Sequence, residues 1–299
     1  MVCNRLICVG LFVLLLIGIC APIAFCDPNN GGFESYDYNA LNELNRPSEW
    51  YYDANYATVV SYLAPFSNRW RIPKGLYAFE GNDFLLLSTG DAPNGPSSSN
   101  GTKAWQTIDV NAGDKLTGVY FFGTDDYSTF LDWGEIKLIS LADPNKEILV
   151  AYADVEDVGS YNSGDSGSMS GWKRFEYIFD ANQTGVYELE ISVCDYQDSI
   201  YDTFLAVDSI ILCRNPSGQG DFNCDCTVNL TDFAIIANNW MCNCKDPNVL
   251  NDSQSDPNYY NDPNNNCLLG IDMDNNGPVD MNDIEIFTEN WLTGTKEDL

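Results

Sequence analysis

Between residues 75 and 213 apolar and polar positions alternate in short runs, each closed by turn-forming residues. "GLYAFEGNDFLLLST", "AWQTIDVNAGDKLTGVYFFG", "WGEIKLISL", "KEILVAYADV", "WKRFEYIFDANQTGVYELEISV" and "TFLAVDSIILC" are rich in aromatic and β-branched side chains, which pack well on a pleated surface. Asn94-Gly95-Pro96, Asn111-Ala112-Gly113-Asp114 and Asn182-Gln183-Thr184-Gly185 separate them as turns. In "VYELEISV", Val186, Leu189 and Ile191 stand among polar neighbours, the pattern of a half-buried strand. Many strands with no helical period between them predict a jelly-roll-like β-sandwich over residues 27–214. Residues 41–62 are less regular and fit a short helix or a loop laid over one face.

The pattern changes after Arg214. "RNPSGQG" is apolar-poor and reads as a linker over 215–220. Beyond it the period becomes helical: Phe233, Ile236, Ala237 and Trp240 fall at i, i+3, i+4 and i+7, and Ile284, Phe287 and Trp291 repeat this with one gap. Two short helices packed back to back around a small core are expected in a second domain, 221–299. The tract 245–267 is polar, repeats Asp-Pro-Asn three times, and reads as a loop. At the other end, Arg5, the apolar run "LICVGLFVLLLIGI" and "APIAFC" predict a cleaved export signal over residues 1–26. The run is shorter than the roughly 20 residues a membrane span needs. A secreted or cell-surface protein without a transmembrane span is expected, and Cys26 also offers a position for lipid attachment.

Charge narrows the function classes. The chain carries 44 acidic and 14 basic residues, no histidine, and a formal charge of −30. That argues against nucleic acid, whose binding depends on cations that neutralise phosphates. Without histidine there is no Ser-His-Asp triad. A glycosidase needs only two carboxylates, and Glu34, Glu80, Glu135, Glu156 and Glu188 are available. None lies in a recognisable catalytic pattern, so a non-enzyme is expected. Removing Cys3, Cys8, Cys20 and Cys26 with the signal leaves seven of the 11 cysteines. Cys224, Cys226, Cys242 and Cys244 form CxC…CxC, which is either a zinc site or a pair of disulfides stapling the first helix end to its loop; export favours disulfides.

From residue 220 onward, 15 acidic residues face only Lys245 and Lys296, and the segment repeats itself. "DFNCDCTVNLTDFAIIANNW" aligns without a gap on "DMDNNGPVDMNDIEIFTENW". Oxygen side chains recur at the spacing of a 12-residue calcium loop, which supplies ligands from positions 1, 3, 5, 7, 9 and 12. Loop one offers Asp221, Asn223, Asp225, the carbonyl of Thr227, Asn229 and Asp232. Loop two offers Asp272, Asp274, Asn276, the carbonyl of Pro278, Asp280 and Asp283. Two Ca2+ ions are expected here, with Val228 and Val279 pairing the loops through a short β bridge.

Two loop-helix repeats, with Asp at position 12 and no helix before the first loop, resemble a type I dockerin over residues 218–294. The "NWM" and "NWL" helix ends are similar to dockerin-like tails of secreted planctomycete proteins. The resemblance implies calcium binding and docking to a cohesin-like or cell-surface partner. This chain departs from the family in three ways: Cys226 replaces the usual Gly at position 6, the repeats are further apart, and Leu230-Thr231 and Met281-Asn282 occupy the partner-reading positions.

"NGGFESYD" and "FLAVDSIIL" resemble the first and last strands of carbohydrate-binding jelly rolls, and "FFGTDDYSTFLDWGEIKLISL" is similar to secreted β-sandwich domains that carry such tails. That resemblance implies a further structural Ca2+, with Glu34 and Asp208 as candidate ligands. A sugar site needs aromatic faces and a few fixed polar groups. Asp125, Asp126, Tyr127, Asp132 and Trp133 offer these in one loop, and Tyr196, Asp198, Tyr201 and Asp202 in another. The reading is a secreted, non-catalytic protein that binds an extracellular ligand, with polysaccharide as the expected partner. A dockerin-bearing glycoside hydrolase and a purely structural surface protein are the alternatives.

Overall fold

The computed structural model describes residues 28–40, 43–53, 56–63, 76–90, 101–124, 131–158, 168–196, 202–214, 220–224, 227–242, 244 and 270–292. The expected signal, the linker core 215–219, the 245–267 tract, and Asp125, Asp126, Tyr127, Asp198, Tyr201, Asp225 and Cys226 lie outside these residues.

The early strands are β1 (Tyr36–Asn39), β2 (Leu44–Pro47), β3 (Tyr51–Tyr52), β4 (Tyr56–Val60), β5 (Tyr62–Leu63), β6 (Leu76–Tyr77) and β7 (Phe84–Ser88). Longer ones follow: β8 (Thr102–Val110), β9 (Lys115–Thr124), β10 (Trp133–Ser140) and β11 (Glu147–Asp154). After a single turn, α1 (Val155–Val158), come β12 (Ser168–Met169), β13 (Lys173–Ile178), β14 (Gly185–Cys194) and β15 (Thr203–Cys213). The tail contributes α2 (Leu230–Asn238) and α3 (Met281–Glu289).

Among the described residues, the strands build a five-stranded sheet in the order β11-β10-β14-β8-β3 and a six-stranded sheet in the order β12-β9-β15-β7-β4, with β13 also on β9. All of these pairings are antiparallel. Alternation explains how the sheets face each other. Ile108, Ile136, Leu138, Leu189 and Ile191 point inward from the first sheet and meet Leu85, Leu87, Phe122, Leu205 and Val207 of the second, in one core. The run "FLLL" of β7 is buried at every position because the six-stranded sheet is covered on both faces. Phe84 and Leu86 join Phe121, Phe204 and Trp172 in a separate cluster on its far side. The molecule is thus mainly β, a sandwich followed by a small helical module.

Two expectations for the sandwich change. Residues 41–62 hold the short strands β2, β3 and β4 rather than a helix; β4 pairs β7 and β3 pairs β8. Val186 is 42 % exposed. It is an odd number of residues from Leu189, so period-2 geometry sends it to the opposite face, and Tyr187 takes the inward position.

In the tail, the repeat is expressed as pseudo-symmetry. Leu292 N donates to Val228 O and Met241 N to Val279 O, at 2.9 Å in both cases. The expected Val228–Val279 bridge is therefore replaced: each valine carbonyl pairs with the segment following the other repeat's helix. Val228, Ile236, Ile271, Val279 and Phe287 form the core. Trp240 and Trp291 lie beyond the helix caps Asn239 and Asn290 and stay 42 % and 37 % exposed, Trp291 still packing edge-on against Phe287 with ring centroids 5.5 Å apart, and Phe233 at the start of the α2 stripe is 38 % exposed. Cys224 bonds to Cys213, the last residue of β15, with Cα atoms 5.0 Å apart. The first loop is stapled to the sandwich and not, through Cys224, to its own helix; Cys244 is also disulfide-bonded, and Cys242 is a free thiol. No helix among the described residues is long and apolar enough to cross a membrane.

Candidate functional site

The outer face of the five-stranded sheet collects aromatic and charged side chains from all five of its strands. In β10 the inward residues are Gly134, Ile136 and Leu138, so Trp133, Glu135 and Lys137 face out. In β8, Ala104 and Gln106 are buried, which turns Lys103 and Trp105 outward. Register then fixes the layout. Trp133 lies opposite Cys194, Lys137 opposite Glu190, Trp105 opposite Glu190 on its other side, and Tyr152 opposite Glu135. Tyr51 of the edge strand β3 stacks on Trp105, with ring centroids 6.0 Å apart and planes 20° from parallel.

Between the aromatics runs an ion network. Lys103 Nζ lies 2.9 Å from Glu190 Oε2, and Lys137 Nζ 3.3 Å from Glu190 Oε1 and 3.0 Å from Glu135 Oε1. Desolvation lowers the Lys137 pKa, but Glu135 and Glu190 outweigh it and hold the ammonium above its ordinary value. Burial and the nearby carboxylates of Asp154, Asp157 and Glu135 push the Tyr152 phenol up to about 12. It keeps its proton, and remains a donor, throughout the physiological range. Ser192, two residues from Glu190 on the same face, is 2 % exposed and its Oγ has no hydrogen-bond partner.

Trp133 and Trp105 are separated by two strand spacings and the four-residue offset between Cys194 and Glu190, a diagonal of about 16 Å. Tyr51 and Tyr152, 65 % and 42 % exposed, extend the apolar surface at either side. Pyranose rings stack on such flat apolar faces, and donors and acceptors between the platforms match hydroxyl groups.

The expected sugar-binding loops fare unevenly. Trp133 is half-buried on this face. Asp132 is fully buried: Oδ1 accepts from Tyr196 N at 2.8 Å, and Oδ2 accepts from Thr203 Oγ1 at 2.6 Å and Thr124 Oγ1 at 3.3 Å. It ties three segments together and does not face solvent, because the side chain before an outward residue points inward. Tyr196 is exposed, and Asp202 is half-buried against Gly90. Trp105, Tyr51, Tyr152, Lys103, Lys137 and Glu190 were missed as site residues. The alternation in "TKAWQTIDV" carried the signal for Lys103 and Trp105, once Ala104 and Ile108 are assigned to the core.

Glu34 and Asp208 hold a turn. Glu34 Oε1 accepts from Asn82 N at 2.7 Å and Asp83 N at 3.1 Å. Asp208 Oδ2 accepts from Phe79 N at 2.8 Å and Glu80 N at 3.0 Å, while Oδ1 accepts from Ser209 N at 2.7 Å. Burial pushes the Asp208 carboxyl well above its usual range despite these bonds. Backbone N–H donors thus surround both carboxylates, and a second acid lies beside each: Asp83 by Glu34 and Glu80 by Asp208.

The tail loops are different. Asp272, Asp274 and Asp283 are the one set of three or more acidic, cysteine or histidine groups that converges among the described residues, with an oxygen of each within 4.8 Å of the others. Asp283 Oδ1 accepts from Met273 N and Asp274 N, at 2.6 and 3.3 Å, and Oδ2 from Asp280 N at 2.7 Å. Asp272 Oδ2 accepts from Gly277 N at 3.0 Å, but its buried Oδ1 has no partner. Burial and the charges of Asp283 and Asp274 raise the Asp272 pKa. Loop one repeats the frame: Asp232 Oδ1 accepts from Phe222 N and Asn223 N, and Oδ2 from Asn229 N. Asn229 and Asp280 cap α2 and α3, each in a capping box with the Asp three residues on. Gly277, at position 6, has φ 117°, the turn geometry that glycine adopts without strain.

No family model and no curated protein matches the chain. Among solved structures, the module TmCBM61 in complex with β-1,4-galactotriose is similar at 17 % identity and a TM-score of 0.36, over 63 % of this chain and 98 % of that one. A CBM4 structure is similar at 14 % identity and 0.30, over 62 % and 97 %. The K1 cleaved adhesin domain of Lys-gingipain from Porphyromonas gingivalis W83 is similar at 11 % identity and 0.35, over 56 % and 92 %. Likenesses this loose say nothing about what the chain binds.

Proposed function

We propose that this chain is an exported, non-catalytic glycan-binding protein that takes a stretch of polysaccharide across the outer face of its five-stranded sheet. The observation that carries this is the pair of aromatic platforms, Trp133 and Trp105, on one exposed face with Lys103, Lys137, Glu135 and Glu190 between them. The diagonal suits a few pyranose rings, with the outer two on indole faces and the middle ones over the ion network.

The tail belongs to the same reading as a module that folds on two Ca2+ ions. Asp272, Asp274 and Asp283 would hold one ion, and Asp221, Asn223, Asn229 and Asp232 the equivalent one. Three converging carboxylates and the unpartnered Asp272 Oδ1 suit a hard cation that takes six to eight oxygens. Paired exposed apolar residues, Leu230 with Met281 and Met241 with Leu292, support docking to a cohesin-like or surface partner.

Affinity electrophoresis against neutral and acidic polysaccharides tests the glycan site. Trp105→Ala and Trp133→Ala should each weaken retention about tenfold without unfolding the protein. Undiminished retention in the double variant, or no retention of the parent on any glycan, would sink the site. Release of reducing sugar, abolished by Glu135→Gln, would instead favour the hydrolase. Calorimetry with and without chelator tests the tail: calcium at about 100 times its Kd should add about 2.7 kcal/mol to the tail's stability, and Asp272→Ala should remove one ion per chain.

A further inference from the structure

The strands of the five-stranded sheet carry two cations, Lys103 and Lys137, and six carboxylates: Asp109, Glu135, Glu147, Asp154, Glu188 and Glu190. Strand parity and register put all of these charges on the outer side. Six carboxylates against two ammoniums leave that face with a formal excess of negative charge.

Neither ammonium is spare. Lys103 Nζ lies 2.9 Å from Glu190 Oε2. Lys137 Nζ lies 3.3 Å from Glu190 Oε1, 3.0 Å from Glu135 Oε1 and 4.0 Å from Glu147 Oε2. Glu190 is the partner that the two lysines share, and it is the deepest of the set. Its side chain is 6 % exposed, against 43 % for Lys103 and 53 % for Glu147. Glu190 Oε1 and Ser192 Oγ are both buried without a hydrogen-bond partner. A carboxylate oxygen only accepts, so the unmet demand at Glu190 is for a donor. A sugar hydroxyl is a donor. An ionised uronate or sulfate ester is not, and it would also enter a field of its own sign.

We propose that Glu190 sets the specificity of this face: by neutralising Lys103 and Lys137 together, it admits uncharged polysaccharide and turns away uronate-bearing and sulfated chains. This rests on the glycan reading above. The lysines then serve as hydrogen-bond donors to ligand oxygens without acting as net positive centres, and repulsion of the wrong ligand supplies the discrimination. Glu190 acts through the lysines, as a positioning residue. Removing its charge frees Lys103, the more exposed of the two, to pair with a ligand carboxylate, while Lys137 keeps Glu135.

Affinity electrophoresis of the full chain against polysaccharides in matched neutral and carboxylated forms tests it. The pairs are hydroxyethyl and carboxymethyl cellulose, xylan without and with glucuronate branches, and homogalacturonan with its carboxyls esterified and free. The parent should be held by a neutral form and on the order of tenfold more weakly by its carboxylated partner. That gap should narrow as salt is raised. Glu190→Gln should close most of the gap by gaining affinity for the carboxylated form, and adding Lys103→Gln to it should abolish the gain. Lys103→Gln alone should widen the gap. Glu285→Gln, the same charge change at an exposed position of α3, should leave it as it is. A parent held equally by both forms, or Glu190→Gln indistinguishable from Glu285→Gln, would overturn the inference and leave the glycan reading standing. No retention of the parent by any polysaccharide would overturn both.

Discussion

Asp208 shows how one buried carboxylate is used when the sequence alone suggests a metal ligand. It accepts three backbone N–H bonds and fastens the 79–80 backbone to β15. Its pKa is raised in the folded state, so the native protein holds that proton more tightly than the unfolded chain does. The stability this contributes is present below the ordinary carboxylate value of 3.8 and is lost as pH rises above it. Asp208→Asn should remove that part of the pH dependence, read as a flatter slope of unfolding free energy above pH 4 in chelator; an unchanged slope would count against it. Asp132 is a parallel case. Asp132→Ala should cost about 1–3 kcal/mol of stability, by leaving Tyr196 N and Thr203 Oγ1 without their acceptor. Glycan retention by the folded protein should not change. Neither role was legible in the sequence, because a carboxylate's partners are backbone groups up to 129 residues away.

At the scale of elements, the sequence was most informative where a period was long enough to read. The strands β8, β9, β10, β14 and β15 each run 8 residues or more and sit where the alternating runs predict them. Strands of two residues such as β3 have no period, yet β3 carries Tyr51 onto Trp105 at the outer face of the five-stranded sheet. The loop-helix repeat was legible down to its caps, since Asn229 and Asp280 serve both as loop position 9 and as N-caps. Removing one cap should cost about 1 kcal/mol. Asn229→Ala should therefore lower tail helicity even in chelator, and helicity lost only in calcium would mean that the residue acts as a ligand alone. The exposure of Trp240 was not legible, because a helical wheel continues past the residue at which the helix stops, and neither was that of Phe233, which lies within α2.

For the whole molecule, the β-sandwich was readable from the alternating runs that precede residue 214. How it meets the tail was not. Cysteine pairing does not follow from spacing, and the bond from Cys213 to Cys224, at a sequence separation of 11, closes the expected linker into a ring. That ring alters how tension would travel through the protein. A pull on the tail enters the sandwich through the sulfur bridge at the end of β15, a strand paired along one edge with β7 and along the other with β9. Drawn along its own axis, β15 can slide only if both ladders shear together, whereas an edge strand would unzip one bond at a time. Tension on the tail is thus taken up by a strand paired on both sides rather than by an edge strand.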